Sequence, residues 1–394
     1  MTTATYPAPD GTPRDGTPRV LFACGGTGGH VYPAIAIADA VRAERPRAAI
    51  AFAGTRDRME WTAVPKAGYP IHAVTVSGFQ RGLTAGALRR NAAFPFRLAA
   101  GLRDSLRLVG AFDADVVVGT GGYVSGPVGL AAVLRRRPLV IQEQNATAGV
   151  TNRLLARAAS RVFVGFEAAL ADLPGATVAG NPVRADLVAA SATPETRAAA
   201  RAALGLAPDA HVLLVTGGSL GAAPLNRAVA AGLGTLLANP DTAVVWAAGT
   251  RFYDAVRASA PVHERLHLVP YLDRMDLAYA AADLAVARSG ATTCSELAAT
   301  GTPSILVPSP NVTADHQTRN AAALADAGAA VLLPEPRLAA EFEATVAALL
   351  ADPARRATMR TACAAVARPD AAREIALAAL ALADAGTRPT TASR

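Results

Sequence analysis

The chain has 394 residues, of which 52% are of hydrophobic types and 18% are charged, so it is a globular protein long enough for two domains, not a disordered segment or a coiled coil. Its formal net charge of +7 is unevenly placed, with 20 basic and 12 acidic side chains in residues 1–180 against 18 and 19 in residues 181–394. Cys24, Cys294 and Cys363 lie far apart without CxxC spacing, which argues against a disulfide framework and a structural zinc site and fits a reducing cytoplasm.

Residues 1–18 form a Pro/Thr/Asp-rich stretch in which DGTPR occurs twice in tandem, and they are expected to be a disordered leader. They have no basic n-region or apolar h-region, so no signal peptide is expected. From residue 19 the pattern is an apolar run, a glycine loop and a helical stretch: VLFA, GGTGGH and an Ala/Ile helix from Pro33, then DVVVGTGG, YVSGP and a second helix. Alternation of this kind predicts a parallel α/β fold. Val116 to Leu134 is the longest uncharged run, but five glycines and Pro127 divide it into two elements and a loop, not a membrane span. HVLLVT (His211 to Thr216), followed by GGSLGA and a helix, repeats the opening unit, so the chain reads as two Rossmann-like domains with parallel sheets facing a cleft. The expected boundaries are 19–182 for the first domain and 183–368 for the second.

The loops at Gly25 to His30, Gly119 to Gly126 and Gly217 to Gly221 each join a strand to a helix, where backbone amides can hold a phosphate. Tight turns need glycine as well, so one such loop alone decides nothing. Lys66, the sole lysine, lies in none of them, which excludes a Walker A loop, and Val31 stands where GxGxxG needs its third glycine. GGSLG satisfies GxSxG with His316 downstream, but an α/β-hydrolase would leave the first two loops without a role. His263 and His267 match HExxH, yet Leu268 to Pro270 read as a strand and turn, so the helix a zinc site needs is absent. Asp113 and Asp115 resemble a DxD metal–diphosphate clamp, but they precede a strand, at the wrong end for a ligand. In the second half, ATTCSE (Ala291 to Glu296) reads as a helix start at which small residues and hydroxyls either cap the helix or leave its amides to a diphosphate, with Glu296 in reach of ribose hydroxyls. Asp315, His316, Gln317 and Asn320 follow another strand end and suit sugar hydroxyls or helix capping.

GGTGGHVYPAIAIA, GGYVSGP, QEQNATAGVTNRLLA, GNPVR, GGSLGA, RSGATTCSELA and DHQTRNA occur in the order and approximate spacing of the MurG family of glycosyltransferases, which the chain resembles from about residue 19 to residue 386. The resemblance implies a GT-B fold, with the acceptor on the N-terminal domain, the donor UDP-GlcNAc on the C-terminal one, and a last helix at about 369–386 crossing back. It also implies roles for Thr27, Gly28, Gly29, Asn145, Arg184 and Ser219 in substrate binding, for Leu272 at uracil through its backbone, for Ala291, Thr292, Thr293 and Glu296 at diphosphate and ribose, and for Gln317 at the sugar. Many relatives read HEQN where this chain has Gln142-Glu143-Gln144-Asn145, so an imidazole is missing there.

The implied reaction moves GlcNAc onto the C4 hydroxyl of MurNAc in lipid I, giving lipid II and UDP with inversion, and needs no organic cofactor. With no convincing DxD, the leaving diphosphate falls to helix N-termini and Arg184, so no essential metal is expected. His30 is the preferred base, since an imidazole titrates near working pH, and Glu143 is the reserve. Its alternative is a loop or phosphate contact. A peripheral position on the inner face of the cytoplasmic membrane follows from the lipid acceptor, and other cell-wall synthesis proteins are implied as partners. Phe79 to Arg107 supplies a docking surface, with Arg81, Arg89, Arg90, Arg97, Arg103 and Arg107 interleaved with Leu83, Leu88, Phe94, Phe96 and Leu98; a solvated amphipathic helix is the alternative. No nucleic-acid motif accompanies the basic half. A different acceptor for the same UDP-sugar, or a non-catalytic scaffold, are the competing readings.

Overall fold

The structure is a computed structural model that describes residues 16–76, 94–189 and 193–387, so residues 1–15 of the leader lie outside the described residues. Contacts divide the chain into two units: Met1–Gln144, Ala148–Arg184 and Asp370–Arg394 make the first, Asn145–Thr147 and Ala185–Pro369 the second.

The first unit is built on β1 (Arg19–Ala23), β2 (Ala49–Gly54), β3 (Ile71–Ala73), β4 (Val116–Gly119), β5 (Leu139–Glu143), β6 (Arg161–Val164) and β7 (Thr177–Val178), with α1 (Gly28–Glu44), α2 (Glu60–Lys66), α3 (Phe94–Ala111), α4 (Ser125–Leu134) and α5 (Val150–Ala156). The sheet order is β3-β2-β1-β4-β5-β6-β7 and every pairing is parallel. Such a sheet is covered on both faces, which is why its strands are unbroken apolar runs. Alternate residues of β1 serve the two layers: Val20 and Phe22 pack with α1, Leu21 and Ala23 with α3 and α4. Pro18, at the end of the leader, accepts the Ala49 N–H at 2.9 Å.

The second unit carries β8 (His211–Thr216), β9 (Thr242–Ala247), β10 (Leu266–Val269), β11 (Leu284–Ala287), β12 (Ser304–Leu306) and β13 (Ala330–Leu332). Its helices are α6 (Ala185–Ala189), α7 (Pro194–Ala203), α8 (Ala223–Ala238), α9 (Tyr253–Ser259), α10 (Met275–Ala281), α11 (Ala291–Ala299), α12 (His316–Asp326), α13 (Glu335–Ala351) and α14 (Pro353–Val366). The sheet order, β10-β9-β8-β11-β12-β13, repeats the arrangement of the first unit, and it is again parallel throughout. α15 (Ala371–Thr387) belongs to the first unit, where Ile375, Ala376, Ala379, Leu380 and Ala383 enter the α1 core and Arg373 donates to Glu44 at 2.6 Å.

Both units are therefore doubly wound. In each, the strand order reverses beside the first strand, between β1 and β4 and between β8 and β11, and ligands bind such folds in the crevice at the carboxyl ends of those strands. All three glycine loops leave strands at these ends. Val116 to Leu134 is β4, a loop and α4, and no helix among the described residues is long and apolar enough to cross a membrane. The three cysteines are buried free thiols, and burial pushes Cys363 up to about 11.

Candidate functional site

In the first unit the loop after β1 is held from below. Gly26, at φ +94°, donates its N–H to Glu60 at 3.1 Å, and the fully buried Glu60 carboxylate also accepts the N–H and hydroxyl of Thr55 at 3.1 and 2.7 Å. Thr27 is the N-cap of α1 without a side-chain capping bond, and the N–H groups of Gly28 and Gly29 have no acceptor among the described residues. An open helix N-terminus of this kind favours an anion. The loop after β4 packs on the first. Ser125 Oγ lies 2.8 Å from the Ala23 carbonyl and 2.7 Å from that of Gly121, and it accepts the Gly121 N–H at 3.0 Å. A Cβ on Gly122, whose φ is +79°, would lie 2.2 Å from the Gly25 carbonyl oxygen. Gly122→Ala is therefore expected to cost about 2 kcal/mol or more and to lower the thermal midpoint by about 4 °C or more in calorimetry. An unchanged midpoint would show that the two loops are not packed together.

His30 stands in the first turn of α1, half-buried, with Nδ1 at 2.8 Å from Gln144 Oε1 and 3.0 Å from the Thr120 carbonyl. Its Nε2 has no partner among the described residues. Glu143 is different. It is 2% exposed, and its carboxylate accepts the Gly149 N–H at 2.9 Å and Asn152 Nδ2 at 2.8 Å, which fastens the start of α5. A carboxylate held this way anchors the start of α5, and of the two base candidates it is His30 that has an unengaged ring nitrogen among the described residues. Arg184 lies with its guanidinium carbon 5.8 Å from the ring centroid of Tyr32, on α1.

In the second unit the loop after β8 carries Gly218 and Gly221 at φ +86° and +80°. A Cβ on Gly221 would meet the Ala248 carbonyl oxygen at 2.1 Å, so this glycine lets two loops close together. Ser219 is exposed in the turn ahead of α8, and it makes no hydrogen bond to a histidine among the described residues, which disposes of the hydrolase reading. His263 lies in a turn and His267 in β10, so they share no helix. Asp115 accepts the Arg19 N–H at 2.9 Å and Asp113 pairs with Arg137 at 2.8 Å, both engaged at the amino end of β4.

α11 begins after Gly290 with no side-chain capping bond. Ser289 Oγ and Thr292 Oγ1 are buried and lack any hydrogen-bond partner among the described residues, so the hydroxyls do not cap the helix. Orphaned buried hydroxyls beside an open helix N-terminus, next to Ala291 and Thr293, suit an oxyanion ligand. α7 and α14, by contrast, are capped by Thr193 and Asp352. One turn into α11, Glu296 accepts the hydroxyl of the buried Tyr279 at 3.0 Å. Leu272 sits between β10 and α10, and neither its N–H nor its carbonyl is bonded among the described residues.

After β12, Ala314 and Asp315 both have left-handed φ, +54° and +49°, a conformation that costs about 1–3 kcal/mol for each non-glycine residue. Gln317 accepts the Ser309 N–H through Oε1 at 2.8 Å, and its Nε2 has no partner among the described residues. Asn320 is fully buried: its Oδ1 accepts the Ala146 N–H at 2.9 Å, and its Nδ2 donates to the Ser289 carbonyl at 3.1 Å and to Asn145 Oδ1 at 3.3 Å. It brackets Asn145 against the approach to α11, and is not a sugar contact. Glu60, Tyr279 and Gln144 carry roles that no motif spacing announces.

Two doubly wound parallel sheets with open helix N-termini at their carboxyl ends are the architecture of the GT-B fold class. The N-terminal domain profile of glycosyltransferase family 28 matches residues 20–164 and the C-terminal domain profile of the same family matches residues 212–375. The chain belongs to glycosyltransferase family 28. It is 56% identical over 369 residues to the UDP-N-acetylglucosamine--N-acetylmuramyl-(pentapeptide) pyrophosphoryl-undecaprenol N-acetylglucosamine transferase of Salinibacter ruber, covering 93% of this chain and 97% of that one. The enzyme of that name from Parabacteroides distasonis is 43% identical over 317 residues, covering 79% and 84%. The crystal structure of Acinetobacter baumannii MurG superposes with a TM-score of 0.70 at 29% identity, over 93% of this chain and 99% of that one.

Proposed function

We propose that the chain transfers N-acetylglucosamine from UDP-GlcNAc to the C4 hydroxyl of MurNAc in undecaprenyl-pyrophosphoryl-MurNAc-pentapeptide, the lipid I acceptor, forming lipid II and UDP. The observation that carries this reading is the 56% identity across 93% of the chain to a relative of that name. The chemistry of the second unit agrees with it: an uncapped α11, two orphaned buried hydroxyls and a carboxylate one turn away match a diphosphate and a ribose.

In the proposed mechanism the acceptor O4 attacks the anomeric carbon from the face opposite UDP. The C1–O4 bond forms as the bond from C1 to the diphosphate oxygen breaks, and the α-linked donor becomes a β-1,4 linkage. His30 Nε2 takes the hydroxyl proton. The charge gathering on the diphosphate is met by the first-turn amides of α11, by Ser289 and Thr292, and by Arg184. Leu272 meets the uracil through its backbone, Glu296 the ribose and Gln317 the sugar, while Thr27, Gly28, Gly29, Asn145 and Ser219 complete the substrate loops. No divalent cation enters this scheme, a reading supported by the engagement of Asp113 and Asp115 elsewhere. Purified protein given UDP-GlcNAc and a short-chain lipid I analogue is expected to release UDP and form the disaccharide lipid equally with and without EDTA. Activity abolished by EDTA and restored by Mg²⁺ would overturn the metal-independent scheme; UDP-GlcNAc binding without transfer would overturn the acceptor assignment.

The protein is further proposed to sit peripherally on the inner face of the cytoplasmic membrane. On α3, Phe96 is 80% and Leu98 47% exposed and Arg97, Arg103 and Arg107 are exposed beside them, while Leu108 and Val109 enter the core. Arg81, Leu83, Leu88, Arg89 and Arg90 lie outside the described residues. Basic side chains at an anionic surface contribute about 1 kcal/mol each. Reversing Arg97, Arg103 and Arg107 to Glu is expected to weaken binding to anionic vesicles by about 10²-fold or more in a flotation assay. Unchanged binding would remove α3 from the docking surface.

A further inference from the structure

Three buried side-chain amides form a line that ends on His30. Asn181 is 3% exposed, Gln142 0% and Gln144 1%. Asn181 Nδ2 donates to the Gln144 carbonyl at 2.9 Å, which turns its Oδ1 toward Gln142. Gln142 Nε2 donates to that Oδ1 at 2.9 Å and to the Glu143 carbonyl at 3.2 Å, so Gln142 Oε1 is left to accept from Gln144 Nε2. Gln144 Nε2 also lies 2.6 Å from the Thr120 carbonyl and 3.1 Å from that of Gln142, so that all three of its neighbours are acceptors sharing its two protons, and its Oε1 therefore faces His30 Nδ1 at 2.8 Å.

Backbone carbonyls only accept, so reversing any one of these amides would set oxygen against oxygen. The direction of the line is fixed by chemistry. Both neighbours of His30 Nδ1, Gln144 Oε1 and the Thr120 carbonyl, are oxygens without a proton to give, and only a protonated Nδ1 fits between them. In the neutral imidazole the lone pair then resides on Nε2, the nitrogen that has no protein partner among the described residues.

The local sequence provides for this arrangement. Successive side chains of an extended strand alternate, so Gln142 and Gln144 share one side of the end of β5 while Glu143 takes the other and holds α5. Two glycines keep the space open: a Cβ on Gly165 would lie 2.3 Å from Asn181 Oδ1, and one on Gly121, at φ +101°, would lie 2.7 Å from His30 Nδ1. Gln142 is the residue at which this chain departs from HEQN, and here it both donates and accepts within the line.

We infer that Gln144, oriented by Gln142 and Asn181, is a positioning residue that holds His30 in the Nδ1-protonated tautomer and so keeps Nε2 ready to accept the acceptor's proton. This rests on His30 being the base proposed above. The test uses the full chain labelled with ¹⁵N-histidine, with the His30 resonances among the six histidines identified by their loss in His30→Ala. The wild type is expected to show the Nδ1–H tautomer for His30. Gln144→Met, which keeps length but removes the acceptor, is expected to mix the tautomers and lower kcat by about 10- to 10²-fold, part of a general-base contribution of about 10² to 10⁴, with KM for UDP-GlcNAc within about twofold. If Gln144→Met does not fold, Gln142→Leu removes the link behind it and is expected to give a smaller shift in the same direction. An Nε2–H tautomer in the wild type overturns the inference, as does a Met variant with tautomer and kcat unchanged. Full activity in His30→Ala would instead sink the base assignment, while the tautomer measurement would still stand.

Discussion

Replacing His30 with alanine is expected to lower kcat for lipid II formation by about 10² to 10⁴, the range removed with a general base, while UDP-GlcNAc binding stays within about twofold. The reason lies in where its bonds go. His30 Nδ1 is engaged by Gln144 and Thr120, both in the first unit, whereas the residues proposed to hold the nucleotide, Leu272, Thr292 and Glu296, belong to the second. The ring also carries little of the fold: the core of the first unit is made by neighbours such as Val31, Ala34 and Ile35, and Thr120 Oγ1 bonds the His30 carbonyl, which alanine retains. Steady-state kinetics with a soluble lipid I analogue, paired with calorimetric titration of UDP-GlcNAc, separates the two effects. Equal losses in kcat and donor affinity would show that His30 holds the donor, and the base would have to be sought elsewhere.

The parts of this architecture that were legible in the sequence are those governed by local rules. VLFA and HVLLVT announce buried parallel strands because both faces of such a strand are covered, and the glycine loops mark strand ends because glycine adopts without steric cost the positive φ found at Gly26, Gly121, Gly218 and Gly221. What stayed hidden was which distant group each polar side chain would meet. Glu60 lies 34 residues from Gly26, Tyr279 17 from Glu296, and Asn320 174 from Ala146. No periodicity connects such pairs; they meet only once parallel strands have been brought side by side. Glu143 and Asn320 show the converse case. As sequence each is a polar residue beside a strand end and reads as chemistry, but burial with two or three partners makes each of them structural. Gln144, an uncharged amide inside QEQN, carries no chemical signal of its own in the sequence, whereas its neighbour Glu143, a carboxylate, does.

Glu296→Ala is expected to act on the donor alone. A carboxylate accepting from ribose hydroxyls contributes about 1.5–3 kcal/mol through charged hydrogen bonds, so the KM for UDP-GlcNAc and the Kd for UDP should both rise by about 10- to 150-fold with kcat at saturation little changed. The structure adds a graded control. Tyr279 is 1% exposed and its hydroxyl donates to Glu296 Oε2 at 3.0 Å, which takes one lone pair and fixes the carboxylate's rotation. Tyr279→Phe leaves the carboxylate in place to accept from the ribose and loosens only its orientation, so it should raise the donor KM by only about 2- to 10-fold, less than loss of the carboxylate. Because Tyr279 works through Glu296, the double variant should be no worse than Glu296→Ala. Losses that instead add would mean that the tyrosine supports α11 independently of its carboxylate. A Glu296→Ala enzyme whose UDP affinity is unchanged would take the ribose away from this helix altogether, leaving the orphaned hydroxyls of Ser289 and Thr292 as the remaining evidence for a ligand there.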